Sequence, residues 1–241
     1  MGAVSGKRVL TLNGGSSSVK YGVYAVDDAV VELSAGEVEH ADVDAGVFAE
    51  IGGGQPDAIG HRIVHGGIDL FASVRIDAGV LARLQAATAF APLHGPASLR
   101  MIALAQARYP GVPQIACFDT GFHARLPAIA ATLPIPKALR DAGVRRYGFH
   151  GLSCESILAQ LGDAVPHRLI IAHLGNGASV TAVLGGQSVD TSMGLTPSGG
   201  VVMGTRAGDI DPGLLLYLMR ERRLDAAEIE TLIDRQSGLL G

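Results

Sequence analysis

Two apolar, strand-like stretches near the start of the chain are joined by Asn13, Gly14, Gly15, Ser16, Ser17, Ser18 and, two residues on, Lys20. Reversing a chain needs only a two-residue Asn-Gly or Gly-Gly turn. This connection carries far more hydrogen-bonding capacity than a reversal requires. Its glycines expose backbone N–H groups and allow positive φ, so consecutive amides can converge on one oxyanion. The serines add hydroxyl donors, Lys20 adds a point charge, and the Asn13 amide oxygen suits a hard cation or a water. The spacing is neither G-x-x-x-x-G-K-[ST] nor G-x-G-x-x-G. A long polar hairpin turn is the alternative reading. A second stretch, Gly175-Asn176-Gly177-Ala178-Ser179, repeats the plan of apolar strand, Asn/Gly/Ser turn and apolar strand, which favours an anion cradle.

Charged and titratable residues sit beside other glycine-bounded turns. "GHRIVHGG" places Arg62 at a strand end, "APLHGPAS" puts His94 before a helix, and "CFDTGFH" ends a buried strand on Asp119. "RRYGFHG" offers His150 beside Phe149, and "TPSGGVVMGTRAGDIDPG" sets Arg206 in a glycine-rich loop. A carboxylate such as Asp119 at the end of a buried strand is costly unless paired or functional. Taken singly, each has an ordinary structural explanation. Together they supply what phosphoryl transfer requires: fixed cations, a carboxylate and backbone amides.

The elements that must position these groups follow from period and punctuation. "RVLTLN", "SVKYGVYAV", "VVELSAGEVE" and "AIGHRIV" are rich in β-branched residues and bounded by Gly or Asp, so they predict strands. Val80, Leu81, Leu84 and Ala87 share one helical face. Pro96 opens a second helix and "YPG" at 109–111 stops it, after which "VPQIACFDT" reads as a buried strand. A second series follows: a helix from Ser153, a strand "RLIIAHL", the second hairpin, and strands "TAVLGG" and "QSVDTS". Asp211-Pro212 opens a helix with Leu214, Leu215 and Leu218 inside, and Asp225 with Glu228 forms a capping box. Helices alternating with strands point to an α/β architecture. Two domains are expected, 1–150 and 151–241.

Composition narrows the class. Of 241 residues, 48% are hydrophobic and 17% charged, which argues against disorder. The net charge of −4 favours neither nucleic acid nor an anionic membrane. No apolar run approaches the ~18 residues of a membrane span, and two cysteines make neither a disulfide framework nor a zinc site. A soluble, globular, cytoplasmic protein is expected.

The motifs "LNGGSSSVKY", "GHRIVHGG", "APLHGPA", "FDTGFH", "RRYGFHG", "HLGNGAS", "DTSMGLTP" and "MGTRAGDIDPG", in this order, resemble the acetate kinase family over nearly the whole chain. The resemblance implies two related α/β domains of the acetate and sugar kinase, Hsp70 and actin type, with ATP, acetate and Mg²⁺ as ligands. It assigns Asn13 to the magnesium site, and Lys20 with His173, Leu174, Gly175, Asn176 and Gly177 to ATP. Arg62 and Arg206 would clamp the carboxylate and the phosphoryl group, His150 would hydrogen-bond that group, and Asp119 would be the essential carboxylate. Val64, Leu93, Phe149 and Pro197 would line the pocket for the acetate methyl.

The implied reaction is reversible transfer of the ATP γ-phosphoryl group to acetate. A propionate or other short-chain carboxylate kinase is the alternative, as is a non-catalytic fragment that binds carboxylate or phosphate. The chain departs from the family in length, ending at "RQSGLLG" inside the second domain, so that domain is expected to be incomplete and the isolated chain poorly soluble. The family's homodimer is not expected to carry over unchanged, because much of its surface would be absent. Leu152 stands where Thr is usual, and "PSGG" where "PLEG" is usual.

Overall fold

The computed structural model describes residues 6–14, 18–39, 48, 51, 54–91 and 94–241. Ser16, Ser17 and Leu93, singled out from the sequence, lie outside the described residues.

The first compact unit, Met1–Gly121, is built on one six-stranded sheet. Strands β1 (Lys7–Gly14), β2 (Ser18–Val26) and β3 (Val30–Glu39) form an antiparallel meander. β4 (Ala58–Ile63) then lies parallel to β1, and β6 (Gln114–Phe118) parallel to β4, with the short β5 (Val74–Arg75) at the far edge. The order is β3-β2-β1-β4-β6-β5. Alternation along β1 turns Leu10 and Leu12 inward, where they join Val19, Val23 and Ile59 from neighbouring strands. Helix α1 (Ala78–Ala87) buries the expected face, Val80, Leu84 and Ala87, and Asp77 caps it by accepting from the Val80 N–H. Helix α2 (Gly95–Arg108) has Pro96 in its first turn and covers the sheet with Met101, Ile102 and Ala105. Each large apolar side chain so buried contributes about 1.5–3 kcal/mol, so this layer is what holds the strand ends in place.

The second unit is Phe122–Gly241. The sequence placed the division at 150/151. The difference lies in residues 122–150, whose side chains bond into the second unit's own sheet and loops. Arg146 donates to the carbonyls of Thr191, Ser192 and Met193 at 2.8, 3.1 and 3.3 Å, and His123 Nδ1 lies 2.8 Å from Ser188 Oγ. Two short helices, α3 (Ala128–Ala131) and α4 (Lys137–Asp141), precede α5 (Gly151–Leu161). Strands β7 (Arg168–Leu174), β8 (Ala178–Leu184) and β9 (Gln187–Thr191) form an antiparallel meander. This repeats the β1-β2-β3 plan, down to a register shift in the second ladder of each. Cys154, Ile171 and Val183 form its core.

Helices α6 (Pro212–Glu221) and α7 (Ala226–Arg235) follow, ahead of a last 3-10 turn at Gly238–Leu240; Asp211 caps α6, and the Asp225–Glu228 capping box of α7 is complete. One expectation is corrected here. Leu214, Leu215 and Leu218 do not form a buried face: α6 buries none of its residues, and Leu214 is 41% exposed. Apolar period marks which face a helix would bury, not whether a partner covers it. No helix among the described residues is long and apolar enough to cross a membrane.

Candidate functional site

In the first unit the charged residues gather where β1, β4 and β6 end. Strand β1 carries Asn13 near its last residue, β4 carries Arg62, and Asp119 follows β6 directly. Parallel neighbours deliver their carboxyl ends to one edge, the usual place for ligands in α/β sheets. Arg62 Nε donates to both Asp119 carboxylate oxygens at 3.1 and 3.0 Å, and Nη2 donates to Oδ2 at 2.5 Å. Arg62 Nη1 donates to Asn13 Oδ1 at 2.9 Å. The Asp119 side chain is 3% exposed and that of Arg62 30%. Burial would lower the Arg62 pKa, but the charge of Asp119 and its hydrogen bonds outweigh that and raise it above its ordinary value. Bonding uses Nε, one proton of Nη1 and one of Nη2. Among the described residues, the second proton on each terminal nitrogen is left over.

Other expected members of this half are placed differently. Lys20 is opposite Asn13 in the β1–β2 ladder, but its side chain is 65% exposed and its Nζ lies 3.8 Å from Glu37 Oε2. Such an exposed pair is worth little. Ser18 Oγ donates to Glu37 Oε1. Val64 is buried just past β4 and, with Ile63, His65, Leu84 and Ile102, lines a cavity of about 10 Å³, room for no more than one water. His65 accepts from the Gly67 N–H at 2.8 Å and stacks on Phe90, while His61 is 2.7 Å from Gln114 Oε1. Burial lowers both histidines to about 4, the Gln114 hydrogen bond opposing the shift at His61, so both are neutral at pH 7. His94 sits at the N-cap of α2 without a side-chain capping bond.

In the second unit a different set converges. His150 is the N-cap of α5 and holds a left-handed backbone, φ 60°, uncommon for a residue with a Cβ. Neighbours over-determine that conformation: Gly148 before it has φ 73°, and the Phe149 carbonyl accepts from His123 Nε2 at 3.0 Å. The His150 Nδ1 atom is 2.9 Å from Ser179 Oγ on β8. The ring stacks on His173 of β7 at a centroid distance of 4.0 Å and an angle of 20°, and His173 Nδ1 is in turn 3.0 Å from Ser153 Oγ.

Arg206 reaches the same place. A Cβ built on Gly177, in the β7–β8 turn, would come 3.1 Å from Arg206 Nη1 and 3.3 Å from His150 Nε2. A side chain there would fit only if Arg206 and His150 gave way by a few tenths of an ångström. Arg206 Nη1 donates to the Pro197 carbonyl at 3.2 Å, and among the described residues no carboxylate lies within salt-bridge distance of it. Phe149 is fully buried, whereas Leu174, Gly175 and Asn176 are exposed on the turn. The structure thus groups Asn13, Arg62 and Asp119 in one unit, and His150, His173, Gly177, Arg206 and Pro197 in the other.

Sequence reasoning missed Ser179, Ser153 and the structural use of Arg146. The "GNGAS" turn did contain a signal for Ser179: in the paired ladder it stands directly across from His173.

An α/β unit opening on a glycine-bearing hairpin, with a guanidinium-bonded carboxylate at its parallel strand ends, is the arrangement of a small-molecule kinase of the acetate and propionate kinase fold. The propionate kinase from Francisella tularensis subsp. tularensis superimposes with a TM-score of 0.85 at 37% identity, over 98% of this chain and 70% of that one. The profile of the Acetokinase family matches residues 52–241, and the chain belongs to that family. It is similar to the acetate kinase of Shewanella loihica, 43% identical over 99% of this chain and 69% of that protein. It is likewise similar to the acetate kinase of Thermosynechococcus vestitus, 52% identical over 76% of this chain and 45% of that protein.

Proposed function

We propose that this chain catalyses reversible transfer of the γ-phosphoryl group of ATP to acetate, giving acetyl phosphate and ADP. The observation that carries the reading is Arg206, a guanidinium beside His150 and Gly177 with no carboxylate partner among the described residues. A cation left without a counter-ion inside a fold is suited to an anionic ligand. Family membership says which anion: the similar proteins are named acetate kinases.

The nucleophile is already a carboxylate at pH 7, so no general base is required. An acetate oxygen forms a bond to the γ-phosphorus as the bond from that phosphorus to the β,γ-bridging oxygen breaks, and the electron pair leaves with ADP. Alignment and charge neutralisation must therefore supply the rate. Arg206 neutralises charge on the transferring group and His150 donates a hydrogen bond to it. Arg62 clamps the carboxylate, and the family resemblance assigns the limit on the acid's size to Val64, Leu93, Phe149 and Pro197, of which Val64 and Phe149 are buried here. Lys20 and the His173–Gly177 stretch hold the nucleotide.

Magnesium would fall to Asn13 Oδ1, a hard oxygen donor; that atom and both Asp119 oxygens already accept from Arg62, so the ion would keep mostly waters and phosphate oxygens. Bound there, it would supply charge neutralisation on the phosphate oxygens. The protein acts in the cytoplasm, on small-molecule substrates.

The test is hydroxamate trapping of acyl phosphate by this chain with ATP and acetate, propionate or butyrate. Highest kcat/KM with acetate supports the reading. The propionate kinase neighbour favours a second reading, which highest kcat/KM with propionate would select. No acyl phosphate from any acid refutes both.

A further inference from the structure

Ser179 is 1% exposed, and its hydroxyl has His150 Nδ1 as its hydrogen-bond partner at 2.9 Å. A serine hydroxyl has one proton to donate, and a neutral imidazole has one donor nitrogen and one acceptor. If Nδ1 carried the imidazole proton, it would donate to Ser179, and the hydroxyl proton would be buried without an acceptor among the described residues. If Ser179 donates to Nδ1, both groups are satisfied and the imidazole proton sits on Nε2. Stranding a buried donor biases such a choice by roughly tenfold or more.

We infer that Ser179 is a positioning residue that fixes the neutral form of His150 in the Nε2–H tautomer, so that Nε2 presents a hydrogen-bond donor beside Arg206. The geometry makes the choice consequential. The position a Gly177 Cβ would take lies 3.3 Å from Nε2 and 3.1 Å from Arg206 Nη1, so both atoms border the same space. With the proton on Nε2, both groups bordering that space are donors, which suits a phosphoryl oxygen. With the proton on Nδ1, Nε2 would present a lone pair and repel it. His173 stacks on the ring's face and is held by Ser153, so the ring's plane is set by one serine-anchored neighbour and its proton by the other. This deepens the proposed phosphoryl-transfer role and rests on that reading of His150.

The tautomer is measured on the unmodified chain without substrate, by long-range nitrogen–proton correlation spectra of isotopically labelled protein at neutral pH. Protonated Nε2 with bare Nδ1 is expected; the opposite tautomer, or an even mixture, overturns the inference. Ser179→Ala should let both tautomers appear and lower kcat about tenfold, with KM for ATP and acetate within about twofold. His150→Asn, which tolerates the left-handed backbone, should lower kcat further. Loss of turnover in His150→Asn with full turnover in Ser179→Ala overturns the positioning role and leaves the reading of His150 standing. Full turnover in His150→Asn refutes that reading and the positioning role with it.

Discussion

Acidification from pH 7 to pH 5 should strip much of the stability from the first unit, and two buried histidines set the amount. His61 and His65 are 2% and 4% exposed, and each is lowered from 6.5 to about 4 in the folded chain. The unfolded chain takes up both protons below pH 6.5, the folded one only near pH 4. Stability is therefore fully present above about 6.5 and is lost as pH falls through that window. Linkage gives about 2 kcal/mol for each histidine at pH 5, about 4 kcal/mol for the pair. That is a large share of the ~5–15 kcal/mol that holds a domain together. With a urea slope of about 2 kcal/mol per molar, the midpoint should fall by about 2 M. Glu155, whose carboxyl is raised by partial burial, acts in the opposite sense and belongs to the other unit. The assay is urea unfolding followed by circular dichroism at pH 7, 6 and 5, comparing the wild type with a His61→Gln, His65→Gln double variant. The variant starts less stable but should show a much flatter pH dependence. Equal slopes in the two proteins would refute the account of both histidines.

Removing Arg62 as Arg62→Met leaves a nearly buried Asp119 carboxylate unpaired and should destabilise the first unit by about 3–5 kcal/mol, more than Asp119→Asn does; denaturant midpoints decide the order. Gly177→Ala needs no left-handed backbone, so unfolding should barely change, but its methyl displaces Arg206 and His150 and should lower kcat at least tenfold in the hydroxamate assay. Arg206→Ala should lower kcat on the order of 10³-fold, as losses of a charge-stabilising arginine do, and a fall below tenfold would place Arg206 away from the chemistry.

Most of the local structure was legible in the sequence because its punctuation is strong. Val80, Leu84 and Ala87 form one face by period alone, Pro96 marks a helix start, and Asp225 with Glu228 writes a capping box. Asp119 was legible too: a carboxylate ending a buried strand demanded a partner, and Arg62 is that partner. What stayed hidden depends on tertiary approach. Nothing local distinguishes Arg146, which bonds backbone carbonyls of the second unit, from Arg206, which lies beside Gly177 and His150. Leu214 on α6 shows the same limit, since a leucine's neighbours in space are not written beside it. Ser179 needed the tertiary fold before its partner could be named, since the strand register sets it across from His173 while its hydroxyl meets His150.

The triad of Asn13, Arg62 and Asp119 has a consequence for timing. Its ion pair already orients the guanidinium and, among the described residues, leaves one proton idle on each outer nitrogen. A carboxylate bound there as proposed would need no exchange of partners and little reorganisation of charge. Because one side chain ties together residues from three successive parallel neighbours, a tug on that guanidinium is shared among β1, β4 and the end of β6, and through β1 with the hairpin that begins the chain.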